Sequence, residues 1–411
     1  MCAGFHGHAT ADPTDGHAAR GGCNGPMLIG CAALLLSCAA PLLQQPQADG
    51  FVFTGRGSGH AVGLAQYGAR GYASEEGRGH RWILRHYYPG TDLARRSAAD
   101  RIRVRLREAP AATIAGAGLI RAADGRTVSL RPSRRYRLTP EGDLIVVAAE
   151  ASGIVRARPR GPLQISGPRP LRLADLAENG VRAGLYRGAF VVHATGDDVL
   201  VVEDVRAEGY LAGVVPSEMP AAWPRAALRA QAVAARSYAA TSRRADELFD
   251  VFADVRSQQY GGVLAEQERT TAAVHATRGS ILLADGKPAR TLFHSSSGGR
   301  TAAVDEIFGG PPVPYLSSVA DPYDRRSPHH RWTLTHTAGA IDERLRELGV
   351  GSIMELAVTA RTASGRAAEV RVTGTGGSAT IPATRARRLL GLRSTWFWVT
   401  APRALSGRRA P

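Results

Sequence analysis

Cysteine is confined to one end of the chain. All four, Cys2, Cys23, Cys31 and Cys38, precede residue 40. The rest can therefore build neither a disulfide scaffold nor a thiolate metal site. Long apolar runs are scarce too. The one that stands out, MLIGCAALLLSCAA at 27–40, is short for a membrane span and gives way to Pro41 and a polar QQPQADG linker. With Arg20 as a basic flank, it reads as a signal-peptide core. Export to the cell envelope or the exterior is the expectation, by cleavage after the run or by lipid attachment at Cys38, the only membrane association expected. The first 26 residues show no folding pattern.

Other chemistries lack their signatures as well. No GxSxG elbow is present and no acid is paired in sequence with His294. Ser295, Ser296 and Ser297 thus read as a substrate-binding hydroxyl loop rather than a nucleophile. His60, His80, His86, His294, His329 and His330 include no HxxxH pair in a helical frame suited to zinc, so neither metal nor cofactor is expected. The glycine-rich GRGSGHAVG stretch is not followed by a βαβ unit, which argues against a dinucleotide loop.

The charge is one-sided, formally +16 over 411 residues. Attraction to polyanions follows. The basic residues are nearly all arginines scattered through expected helices and strands, without an aromatic-interleaved patch or a nucleic-acid-binding motif. In an exported protein an anionic wall polymer is the better fit, while high-GC codon bias would account for the arginines alone, and no nucleic-acid partner is expected.

The chain is organised around residues 209–244, GYLAGVVPSEMPAAWPRAALRAQAVAARSYAATSRR. Pro224 suits the first position of a helix, which then runs through alanine and arginine with Leu228, Ala232, Ala235 and Ala239 on one stripe. Upstream, 210–215 reads as a short helix or turn stopped at Val-Val-Pro. Glu218 then falls in a loop between two helices, flanked by Met219 and Trp223. Apolar neighbours would desolvate this carboxylate and make it a proton donor near neutrality. Alternatively, it faces the amide-rich start of the second helix, where negative charge is favoured.

Elsewhere, helices are expected from Gln66 onward, at 82–88 and at 266–277. Short alternating runs such as IRVRL, TVSLRP and DLIVVA imply a small β subdomain over 99–175. The fold class expected is α+β: mixed helices and antiparallel strands around a central helix-loop-helix.

YLAGVVPSEMPAAWPRAALRAQAVAARSYA resembles the signature segment of the SpoIID/LytB family of peptidoglycan-acting proteins, known as stage II sporulation protein D-like proteins and amidase enhancers. The likeness continues through FDVFADVRSQQYGGVLAEQERTTAAVHATRGSILLADGKPARTLFHSSSGGRT and PYLSSVADPYDRRSPHHRW. It implies that Glu218 is the catalytic acid of a lytic transglycosylase cutting glycan strands between MurNAc and GlcNAc, leaving 1,6-anhydroMurNAc ends. It also implies substrate-binding roles for Gln231, Arg236, Tyr238, Gln258, Tyr260, His294, Ser295, Ser296 and Ser297. The partners implied are glycan strands and a cell-wall amidase, and the alternative is a non-catalytic wall-binding protein that enhances that amidase.

In the family a GxGHGVGMSQYGA-like segment follows a GLRSTxF strand near the C-terminus. Here GLRSTWFWV closes the chain while GSGHAVGLAQYGA opens its folded part, an order that implies circular permutation. Residues 51–92 should then dock beside the strand at 395–399 and return His60 and Gln66 to the cleft as substrate-binding residues. Ala61, Leu64 and Ala65 replace the family's Gly, Met and Ser, and Ala61 is costly if its position needs positive φ. The domain division expected is 1–49 signal peptide and linker, 50–98 docking segment, 99–175 β subdomain and 176–411 catalytic domain.

Overall fold

The computed structural model describes residues 50–96, 100–244 and 247–401. The signal-peptide run 27–40 and Cys38 lie outside the described residues. Among those described, no helix is long and apolar enough to cross a membrane. Helices and mostly antiparallel strands share the chain in an α+β architecture.

Strict alternation builds the β region. In Arg101–Ala109 the buried Ile102, Val104 and Leu106 alternate with arginines that are exposed or half-buried, so one face enters the core. That strand lies in a seven-stranded sheet between Asp198–Arg206 and Val251–Phe252, the latter parallel to it. A six-stranded sheet runs from Val155–Ala157 to Arg182–Tyr186. The boundary expected at 175/176 therefore falls inside this region: Leu171–Leu176 pairs with Arg182–Tyr186, and Arg101–Ala109 pairs with Asp198–Arg206. Each needs its later partner to satisfy its backbone.

Asp198–Arg206 leads directly into the helical layer. There α1 (Gln66–Glu75), α2 (His80–Tyr87), α3 (Ala207–Glu218) and α5 (Glu268–Ala276) pack around α4 (Arg225–Thr241). The expected α4 stripe of Leu228, Ala232, Ala235 and Ala239 is buried, and its small residues allow close approach. Pro224 caps α4 rather than occupying its first turn.

α3 does not stop at Val-Val-Pro. It continues through Pro216 and ends with Glu218, because the Met219 N–H closes the last turn on the Val215 carbonyl at 2.9 Å. Ser217 Oγ meanwhile donates to the Gly213 carbonyl at 2.8 Å. A proline so near a helix end costs little beyond its own missing donor. The carboxylate expected in a loop is therefore fixed on a helix terminus.

The opening strand Gly50–Gly55 is held between two strands from the far end of the chain, Trp332–Thr337 and Phe397–Thr400, antiparallel to both. Phe51 and Phe53 enter a second apolar core with Ile341, Leu345, Val370, Leu390 and Phe397. The chain then crosses to the larger body, where Leu64–Ala65 pairs parallel with Phe293–His294 and leads into α1.

Arg236, expected at the substrate, is instead part of this framework. It is 5% exposed and grips Glu208 through Nε and Nη2 at 2.9 and 2.8 Å. It also donates to the carbonyls of Ala232, Ser280 and Val274. Removing one partner of such a pair leaves a buried charge uncompensated. Arg236→Ala is expected to cost about 3 kcal/mol or more of stability, read by denaturant unfolding. A variant as stable as the parent would contradict a framework role.

Candidate active site

Glu218 is 6% exposed and points one carboxylate oxygen at each of two donors. Oε1 accepts the Gln259 backbone N–H at 2.8 Å, and Oε2 accepts Gln66 Nε2 at 3.3 Å. Gln66 opens α1, so the docking segment delivers it across 152 residues of sequence. Both donors hold the carboxyl group in one orientation. A glutamine amide offers a donor or, turned over, an acceptor, so Gln66 can serve Glu218 in either protonation state. The expected alternative, a carboxylate facing the start of α4, does not describe these partners.

The acid lines a cleft of about 690 Å³, whose walls include Asn179, Pro216, Met219, Gln259 and Leu264. Among the described residues lining it, Glu218 is the one ionisable side chain. The loop supplying the Gln259 amide is pinned from below. Tyr260 OH donates to the buried Glu203 at 2.8 Å, Asn179 Nδ2 donates to the Tyr260 carbonyl at 2.6 Å, and Gln259 Nε2 donates to the Asn179 carbonyl at 3.2 Å. Gly213 lets this loop lie on α3, since a Cβ there would meet Tyr260 Cε2 at 2.6 Å. Nearby, Tyr67 and Trp223 meet edge to face at 4.8 Å with Arg70 over both rings. Arg269 holds the 221–223 turn through two carbonyls.

Several expected substrate contacts lie beneath the cleft rather than in it. Gln231 is fully buried on α4. Gln258 is buried between Tyr210 OH and the Ala235 carbonyl, and Tyr260 is spent on Glu203. Tyr238 is half-buried against the core. Gln231 and Tyr238 lie on faces of α4 that pack on neighbours, and Gln258 and Tyr260 turn from their loop into the core.

The serine loop is also largely structural. Asp324, fully buried, accepts Ser296 Oγ at 2.7 Å and the backbone N–H groups of Ser297 and Gly298 at 3.0 and 2.9 Å. Ser297 Oγ accepts the Gly299 N–H. His294 and Ser295 instead sit beside the docking segment: His294 pairs with Ala65, and the Ser295 carbonyl accepts the Tyr67 N–H. His294 Nε2 and Ser295 Oγ are buried without hydrogen-bond partners.

His60 lies 5.5 Å from His294, ring to ring, and its Nδ1 accepts the Val62 N–H. Burial, and then the neighbouring imidazole, hold His60 well below the usual histidine range, and burial pushes His294 down to about 3. Both are neutral at physiological pH. Among the described residues no group of three or more His, Cys, Asp or Glu is placed to hold a metal ion.

The model of the stage II sporulation protein family, SpoIID, matches residues 195–283, which carry α3, Glu218, α4 and α5. Residues 195–283 thus match the SpoIID domain, and the chain is similar to proteins of the SpoIID/LytB family. It is 32% identical over 213 residues to stage II sporulation protein D of Bacillus subtilis, covering 48% of this chain and 61% of that one. It is 38% identical over 138 residues to the amidase enhancer of the same organism, covering 34% of this chain and 18% of that protein. An uncharacterized protein of Brachyspira hyodysenteriae is 38% identical over 144 residues, 34% of this chain and 38% of its own. The chain thus spans about three fifths of the length of the sporulation protein D relative and less of the others.

Neither Gln259 nor Asn179 was expected in the site. Gln259 stood one residue from the expected Gln258, and only the fold shows which of the pair turns to the acid. Asn179 had no sequence signal, since it acts through a loop in the β region.

Burial pushes the Glu203 carboxyl up to about 7, above its unfolded value, even though the Gly188 N–H and Tyr260 OH pull it down. Its contribution to stability is therefore full below about pH 4.3 and is lost as pH rises through about 7. Glu203→Gln should flatten the fall in unfolding free energy between pH 5 and 7, about one proton's worth; an unchanged slope would contradict it. Ala61 holds φ at +69°. Ala61→Gly should be neutral or add up to about 1 kcal/mol of stability, and a loss larger than that would show that its methyl packing outweighs the strain.

Proposed function

We propose that this chain is a lytic transglycosylase acting on peptidoglycan glycan strands, with Glu218 as general acid and base. The observation that carries the reading is the single carboxylate among the described residues lining the cleft. Hydrolytic glycosidases generally place two carboxyl groups across the bond they cut. A single acid suffices when the nucleophile belongs to the substrate. Glu218 gives its proton to the glycosidic oxygen as the bond to the MurNAc anomeric carbon breaks. The C6 hydroxyl of the same MurNAc then attacks that carbon, and its proton returns to Glu218. No water is consumed, and the product ends in 1,6-anhydroMurNAc.

The other site residues take supporting parts. The Gln259 N–H and Gln66 hold the carboxyl group in one orientation, and proton transfer from a positioned group is worth about two to four orders of magnitude in rate. Met219 and Pro220 line the cleft beside the acid with apolar surface. The basic surface suits an anionic wall polymer, and export through the 27–40 run would bring the protein to it. A second reading, an accessory protein that enhances a cell-wall amidase, is favoured by the likeness to a protein named amidase enhancer.

The test is mass spectrometry of glycan strands, with and without stem peptides, incubated with residues 50–411 or with Glu218→Gln in the same chain. Anhydro-ended fragments from the parent, reduced at least about a hundredfold in the variant, are expected. Reducing ends would mean hydrolysis by a second carboxylate. Absence of cleavage with glycan binding retained would favour the amidase-enhancing role.

A further inference from the structure

Away from the Glu218 cleft, no described residue covers the outer face of the three-stranded sheet built on Gly50–Gly55. Its inner face carries Phe51, Phe53 and Phe397 into the second core. On the outer face, register aligns Trp398, Thr54 and Thr333 in one row across the three strands. All three are exposed, Trp398 by 42%. They border an open hollow of about 560 Å³ that also takes in Arg56 and Arg331.

The indole is held in place rather than free to turn. The Arg56 guanidinium lies 5.5 Å from the Trp398 ring centroid and Arg361 lies 5.0 Å from it, while Arg56 also covers Trp396 at 5.3 Å. Arg361 is itself fixed by the carbonyls of Gly365 and Phe397, each at 3.0 Å. Among the described residues, Arg56, Arg331 and Arg361 form no ion pair, and Arg56 Nε is buried without a hydrogen-bond partner. Among the described residues no carboxylate lines the hollow.

We infer that this face binds an anionic glycan chain, separately from the catalytic cleft. A fixed, half-exposed indole offers a flat apolar surface for the C–H face of a sugar ring. The threonine hydroxyls beside it can pair with sugar hydroxyls, and unpaired arginines at the rim match carboxylates spaced along the polymer. Ordering costs little, because the arginines already hold the ring. Arg56 leads straight into the glycine-rich loop that ends at Gln66, so a strand held here is anchored next to the segment that completes the Glu218 site. The glycan identity rests on the function proposed above, but the binding does not require turnover.

The experiment uses the full chain carrying Glu218→Gln, so that binding is read without cleavage. The probes are amidase-treated peptidoglycan glycan strands with free muramic carboxylates, neutral chitooligosaccharides and polyadenylate. Trp398→Ala and Thr333→Glu, both at exposed positions, should each weaken glycan-strand binding about tenfold or more. Chitooligosaccharides should bind at least as weakly, and polyadenylate binding should not depend on Trp398. Glycan affinity unchanged in both variants would overturn the inference, as would an equal loss of polyadenylate binding, which marks a general polyanion surface. In the Glu218-intact chain, Trp398→Ala should leave cleavage of short fragments unchanged. Failure of the transglycosylase reading would show there, as no cleavage by the parent, without touching the binding result.

Discussion

The position of the Gly50–Gly55 strand decides what Glu218 can do. It is held between Trp332–Thr337 and Phe397–Thr400 by backbone hydrogen bonds on both edges and by two phenylalanines in the second core. The loop that leaves it is tied down again by the Gly57, Ser58 and Gly59 amides, which donate to the carbonyls of His329, Ser296 and Arg393. Only with these pairings in place does α1 start where Gln66 reaches Glu218. The Gln66 donor to the acid depends on this long-range strand insertion.

The rest of the site is built by rigidity at second remove. The carboxyl group sits on a helix terminus, and its other donor belongs to a loop whose position is set by Tyr260, Glu203 and Asn179. Glu203 belongs to the strand that leads into α3, so the acid and the floor of its cleft share one continuous piece of chain. A buried carboxyl group that accepts two hydrogen bonds trades stability for fixed geometry, a common arrangement beneath catalytic centres. Arg236 and Glu208 do the same for α3 and α4.

Much of this was legible in the sequence. The α4 stripe, the strands of the β region and the α+β class follow from periodicity, and the order of the GLRSTWFWV and GSGHAVG pieces implied the strand pairing that the fold contains. Two kinds of feature were hidden. Helix length past Pro216 depends on the Ser217 hydroxyl and on the backbone closure at Met219, which no local pattern shows. The direction of polar side chains on α4 and the following loop depends on tertiary neighbours. Gln231, Gln258 and Tyr260 therefore look like site residues in sequence while packing beneath the site, and Gln259 takes the place expected of its neighbour.

The most direct measurement is a crystal structure of the Glu218→Gln chain with a bound peptidoglycan tetrasaccharide. The expected result is a glycosidic oxygen within about 3 Å of the side chain at position 218, with Gln66 and the Gln259 amide still in place around it. A tetrasaccharide that leaves the cleft empty, or crosses it with the scissile oxygen beyond reach of position 218, would contradict the role assigned to this acid.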